Sequence, residues 1–250
     1  VIRLIEAGAD INSVTDPSGS TPLHLAALSG NGSVVRELVN AGAEIDSREA
    51  EWQQTPLIFA ASWNRLETVV TLLELGADPN LAAKSMDLQE MGRLDGEAQR
   101  RQQEVLKAFT NDGEWAATSA QVQAAVVAGR GAYSAGAEVE ERRQSNRFQR
   151  EVRIKSKGGL TPLLHAARQG HVETIEALLE SGARIDQVGG GDGTTPLLMA
   201  TINGQFDAAA VLLRHGANPN IGSSLNGVTP LFAAVNSEWQ PRTRYPQPQE

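Results

Sequence analysis

Residues 21–30 read Thr-Pro-Leu-His-Leu-Ala-Ala-Leu-Ser-Gly, and the opening pair returns at Thr55-Pro56, Thr161-Pro162, Thr195-Pro196 and Thr229-Pro230, at separations of 34, 106, 34 and 34 residues. Gly-Ala keeps step at Gly8-Ala9, Gly42-Ala43, Gly76-Ala77, Gly182-Ala183 and Gly216-Ala217, and every complete Thr-to-Gly interval is 21 residues. Self-similarity at such a period marks a solenoid, in which each unit buries its apolar face against the next. Thr before Pro is a helix start: the hydroxyl can accept from an orphan backbone N–H, and Pro at the first helical position gives up no needed donor. Leu23, Leu57, Leu163, Leu197 and Leu231 follow at once, then Ala26-Ala27, Ala60-Ala61 and Ala166-Ala167, small enough for close packing. This first helix is expected to end near Gly30, Gly170 and Gly204, where Gly supplies the left-handed conformation. A second helix carries Leu38-Val39, Leu72-Leu73, Leu178-Leu179 and Leu212-Leu213, and Leu4-Ile5 before Gly8 matches this half. Turn residues such as Ser13 to Ser20 then lead to the next Thr and suit a projecting hairpin, called a finger below.

Thr-Pro-Leu-His at Thr21 to His24, Ala26-Ala27, Gly30 and Gly-Ala-Asp-Ile-Asn at Gly8 to Asn12 together resemble the ankyrin repeat. The likeness covers residues 1–80 and 158 to about 238, with one finger residue more than the family's usual period of about 33. A tetratricopeptide repeat has a similar period, but its Trp, Gly-Tyr and terminal Pro pattern is absent. The resemblance implies an all-α ankyrin-repeat helical solenoid, with stacked helix-turn-helix units, projecting fingers and one partly helical insertion. Residues 1–80 hold a partial repeat plus two, 81–157 the insertion, and 158–250 two repeats plus an incomplete last one. Bacterial ankyrin proteins with long inter-repeat excursions look similar, a family-level expectation about origin.

Between Gly76 and Thr161 lie 85 residues against 13 in the other units, so 72 residues are inserted in one finger. A loop can grow there at small entropic cost while the helix pairs keep their stacking distance. Inside it, Glu97 to Phe109 and Ser119 to Ala128 show helical apolar spacing. Ala135 to Glu140 imitates Ala41 to Asp46, which leaves a decayed repeat open as an alternative. An excursion is preferred, because no Thr-Pro stands at the right distance before it. At the other end Thr229 to Ala234 begins a first helix, but Pro241, Pro246 and Pro248 occupy the second, so either another excursion or a proline-rich tail follows. Val1 to Ile5 reads as the interior of a helix, so the sequence is expected to begin inside a unit. No targeting signal is legible, and no cellular address or oligomeric state is assigned.

Composition narrows the chemistry. No apolar run approaches the roughly 18 residues of a membrane span. Cysteine is zero, which removes disulfides, thiolate metal sites and a Cys nucleophile. Net charge is −8, against whole-surface nucleic-acid binding. Residues 81–160 carry 13 basic and 11 acidic residues, leaving 9 and 19 for the repeats. Arg142 to Lys157 holds seven basic residues against Glu151 alone. It reads either as a patch for nucleic acid or an acidic partner, or as a solvated helix paired to Glu138, Glu140 and Glu141. The second is favoured, since only Phe148 offers a ring for base stacking.

His24, His165, His171 and His215 have no Asp or Glu at metal-motif spacing, so no metal and no cofactor is expected. The resemblance gives His24 hydrogen bonds that tie a helix start to the adjacent finger, while His165 stands one place further along its unit. Gly189-Gly190-Gly191-Asp192-Gly193 lacks the Gly-Lys-Ser/Thr ending of a phosphate loop and reads as a fingertip. No Ser or Asp sits in a nucleophile-elbow or paired-carboxylate setting, so the chain is not expected to be an enzyme.

Solenoids of this kind bind along a concave face. The family's binding positions fall on Leu28 in the first full unit and on Glu51, Trp52, Gln54, Ser62 and Trp63 in the next. Beyond the insertion they fall on Arg168 and Gln169, then Asp192, Ile202 and Asn203. Trp52 and Trp63 stand out, because Trp is enriched at binding hot spots. The leading expectation is a non-catalytic protein-interaction scaffold whose groove takes a protein partner or, alternatively, the chain's own insertion. A second expectation is a regulatory module of a larger protein with the insertion as a lid, and a third is nucleic-acid binding through residues 142–157.

Overall fold

Each Thr-Pro pair starts a helix in the computed structural model, which describes residues 1–109, 117–134 and 156–239. The first helices of the units are α2 (Pro22–Ser29), α4 (Pro56–Ser62), α8 (Pro162–Gln169), α10 (Pro196–Ile202) and α12 (Pro230–Trp239). The second helices are α1 (Ile2–Glu6), α3 (Gly32–Asn40), α5 (Leu66–Glu74), α9 (Val172–Glu180) and α11 (Phe206–Arg214). The Oγ1 atoms of Thr55, Thr161, Thr195 and Thr229 accept the N–H three residues on, at 3.3, 3.2, 3.2 and 3.4 Å. Gly30 and Gly170 cap α2 and α8 in the left-handed conformation. In α10 the cap is Asn203 rather than Gly204, which takes its positive φ one residue later.

The chain divides into two compact units, Val1–Ser85 with Lys157–Glu250, and Met86–Ser156. In the first, helices pack pairwise in chain order, α2 on α4, α4 on α8 and α8 on α10. Leu23, Leu57, Leu163 and Leu197, one per unit, are at most 1% exposed, and Val35, Val69 and Ile175 face them from the second helices. Each such side chain contributes roughly 1.5–3 kcal/mol by leaving water, and it does so only because a neighbouring unit covers it.

Two sets of polar links keep the units in register. The Asn or Asp four residues after the Gly of Gly-Ala reaches the next unit from Asn12, Asp46, Asn80 and Asp186. Asn12 Nδ2 donates to Gly42 O (3.2 Å) while its Oδ1 accepts from Glu44 N–H (3.0 Å). Asn80 makes the same pair of bonds with Gly182 (3.2 Å) and Arg184 (2.8 Å), more than a hundred residues away. The fingers form the second set: Ala50, Lys84, Gly190 and Ser224 donate backbone N–H to Ser18, Trp52, Gly158 and Asp192. Lys84 and Gly158 flank the point of insertion, and Gly159 N–H closes onto Lys84 O at 3.0 Å. The strands β1 (Ser85–Asp87) and β2 (Ser156–Gly158) pair where the chain leaves the repeats and returns.

The second unit is built on α6 (Leu88–Lys107) and α7 (Ser119–Ser134). The sequence placed α6 from Glu97; it begins nine residues earlier, since Leu88, Met91 and Leu94 continue the apolar stripe through Gly92 and Gly96. Packing outweighs a cost of about 1 kcal/mol per helical Gly. Likewise α7 runs past Ala128, where Gly129 approaches so closely that a Cβ there would meet Gln102 Nε2 at 2.5 Å. Ala125 and Ala132 are buried beside it, and the Tyr133 hydroxyl donates to Asp95. Residues 135–140, the basic segment from Arg142 through Lys155, and Pro241, Pro246 and Pro248 lie outside the described residues.

Candidate functional site

The finger that carries Trp52 is built differently from the others. Glu49, 3% exposed, turns its carboxylate inward and accepts three backbone N–H groups: Glu51 at 2.7 Å on Oε2, and Trp52 at 2.8 Å and Gln54 at 2.9 Å on Oε1. The corresponding residues elsewhere are Thr15, Ala83, Gly189 and Ser223, none of which carries a carboxylate. Two residues before the Thr, the other fingers place Gly19, Gly159, Gly193 and Gly227 at φ between 65° and 71°, whereas this one forces Gln53 to φ 55°. Gln53 Nε2 donates to Glu49 O (3.0 Å), and Arg48 ties Gln53 O and Ala82 O together at 3.0 and 2.9 Å. Glu51 and Trp52 are thereby held on a fixed loop and stay exposed, Trp52 by 40%.

Trp63, 61% exposed, is the C-cap of α4 in the same unit. The next residue, Asn64, adopts φ 53° where other units use Gly, and its Oδ1 accepts the Thr174 hydroxyl at 2.9 Å. From the neighbouring helix Gln169 Nε2 donates to Ser62 O (3.0 Å), and a ring nitrogen of His171 lies 3.1 Å from Ala61 O. These bonds set the end of α8 beside the end of α4. The row therefore runs Leu28, half-buried; Ser62 and Trp63; Arg168 and Gln169, both exposed; and Ile202, 46% exposed, with Asn203.

Several polar members of the predicted set have their groups engaged within the fold. Ser62 Oγ donates to Phe59 O (3.0 Å) and Asn203 Nδ2 to Met199 O (2.8 Å). Asp192 accepts the Thr194 N–H (3.2 Å) and hydroxyl and the Ser223 hydroxyl, while its backbone holds the next finger. Gln54 is held by its backbone, the N–H on Glu49 and the carbonyl on His24, and its side chain is half-buried. Trp52, Trp63, Glu51, Arg168 and Ile202 remain as side chains with free reach. Lys157, at the finger of the third unit, is exposed as well, although in the sequence it belongs to the basic segment.

Two of the histidines, His24 and His171, link neighbouring units. His24 Nδ1 accepts the Thr21 N–H at 3.2 Å, so Nε2 carries the proton and donates to Gln54 O at 3.0 Å, linking a helix start to the next finger. Its ring meets Phe59 edge-on, centroids 5.2 Å apart. Burial lowers its pKa, opposed by the bond to Gln54 O and the nearby Glu49 charge. His165 is 7% exposed and its Nδ1 has no hydrogen-bond partner. Burial, then the Arg168 charge, pushes its pKa down to about 4. Among the described residues no three His, Asp or Glu side chains gather as a metal site would require, and no helix is long and apolar enough to cross a membrane.

A family model described as ankyrin repeats (3 copies) matches residues 1–83 and 143–223. No curated protein matches the chain.

Proposed function

The chain belongs to the ankyrin-repeat family, whose repeats are protein–protein interaction modules, and from that premise we propose that it is a non-catalytic scaffold binding a protein partner through the groove at Trp52 and Trp63. The observation that carries this reading is the pair of indole rings kept in water within one repeat. Aliphatic side chains such as Leu25 and Ile202 are exposed too, but these two are indoles, 40% and 61% exposed. A buried carboxylate and a left-handed Gln53 maintain the loop beneath one of them. Exposed Trp wastes apolar area unless a partner covers it, and Trp anchors are typical of interface centres. Glu51 and Arg168 supply charge at the edges of this patch, where it favours orientation and specificity over raw affinity.

The test is selection from a displayed random-peptide library against the chain and against its Trp52→Ala/Trp63→Ala variant. Both rings are exposed, so the variant should keep its helical circular dichroism. The expected result is enrichment on the parent and loss of those peptides on the variant. Equal retention by both proteins sinks the groove assignment.

A further inference from the structure

The charge of the repeats is unevenly placed. The second helices α3, α5, α9 and α11 carry seven Asp or Glu against Arg36 and Arg214, each of which is within 4 Å of a carboxylate, Glu74 at 2.7 Å and Glu176 at 3.9 Å. The first helices α2, α4, α8 and α10 carry no Asp or Glu at all and one charged side chain, Arg168. Arg168 is exposed and has no ion pair among the described residues; neither does Lys157, on the finger of the same unit. An acidic chain thus presents a groove whose middle is locally cationic. Arg168 also has apolar neighbours on both sides, Trp63 one helix toward the N-terminus and Ile202 one helix toward the C-terminus, on helices in direct contact with its own.

Packed helices stand roughly 8–10 Å apart. An extended peptide covers that distance in about three residues at roughly 3.3 Å each. We propose that the groove takes an extended segment of a protein partner with Asp or Glu at its centre, held at Arg168. Apolar side chains three residues to either side meet Trp63 and Ile202. This rests on the groove reading above and adds the chemistry of the partner. Planar guanidinium matches carboxylate in a two-bond fork, so the central position discriminates more sharply than a lysine would. Exposed Glu51, on the finger beside Trp52, repels a second acid placed toward the N-terminal side and so fixes where the carboxylate sits.

The probe is a displayed heptapeptide library, panned at low and high salt against the chain, its Arg168→Glu variant and the double Trp variant. The expected outcome is enrichment of apolar-x-x-acid-x-x-apolar sequences on the parent, with a basic residue at the centre on Arg168→Glu. One enriched peptide, synthesised with Glu or Lys at its centre and titrated by fluorescence polarisation, should differ about tenfold in affinity at low salt and less at high salt. Peptides that lack the central acid, or that bind Arg168→Glu equally well, overturn the proposal; if the double Trp variant still loses them, the groove reading stands. Peptides retained by the double Trp variant, or no enrichment at all, overturn the groove reading and this inference with it.

Discussion

Acid should destabilise the repeats through His165, by an amount the structure sets. The ring is buried with Nδ1 unpartnered, and its pKa is about 4, against an ordinary value of about 6.5 for the unfolded chain. Between those values the unfolded state binds the proton and the folded state does not, so stability rises with pH across that window. The contribution is fully present above about pH 6.5, is lost as pH falls toward 4, and changes no further below that. A difference of about 2.5 units at about 1.4 kcal/mol each gives a ceiling of about 3.5 kcal/mol, a large part of the stability of a domain this size. His24, also lowered by burial, adds loss of the same sign.

His165→Leu isolates the first effect, because Leu25 occupies the same register position in the first full unit. Leu removes a buried unpaired nitrogen, so at pH 7 the variant should match or exceed the parent by about 1 kcal/mol. Urea midpoints at pH 7, 5.5 and 4 then compare the two slopes. The parent should lose about 2–3 kcal/mol more than the variant over this range. Parallel losses would refute the claim that the folded state holds His165 neutral, as would an NMR titration placing the ring near pH 6.5 in the native protein.

Glu49→Ala leaves the N–H groups of Glu51, Trp52 and Gln54 without their acceptor; a loss of about 2–3 kcal/mol is expected, with faster hydrogen exchange at those three amides, and unchanged exchange would contradict the cage. At position 53, Gly should exceed Ala by about 1 kcal/mol in chemical denaturation, since both lose the amide bond to Glu49 O but only Ala suffers at φ 55°; equal stabilities would remove the strain argument.

The register of the stack was legible because its landmarks are backbone requirements. Thr-Pro suits a helix start, and Gly at Gly30 and Gly170 meets a left-handed cap, so their regular spacing placed ten of the twelve helices described. The proposed groove rests on the same register, which puts Trp52 and Trp63 where the resemblance implies binding. Glu49 escaped notice because its partners are three N–H groups of an irregular loop, which no side-chain pattern announces. The one clue was a lone carboxylate where other units carry Thr15, Ala83, Gly189 and Ser223. Gln53 and Asn64 hide left-handed backbone behind residue types that do not demand it. Asp192 looked free for a partner because Thr194 and Ser223, which engage it, come together only once two fingers are stacked.

The insertion shows why a solenoid accepts seventy residues in one place and not another. Each finger donates through one residue to the finger before it and accepts through a residue two places on from the finger after it. Lys84 donates backward to Trp52, Gly158 accepts forward from Gly190, and the chain was opened between these two roles. Neither ladder bond is lost, and the Asn80 bonds to Gly182 and Arg184 reproduce those of Asn12 to Gly42 and Glu44. Gly159 N–H on Lys84 O holds the two ends together, so added length costs only the slow logarithm of loop closure. The position of the opening therefore preserves the loop that presents Trp52, whatever the inserted residues do.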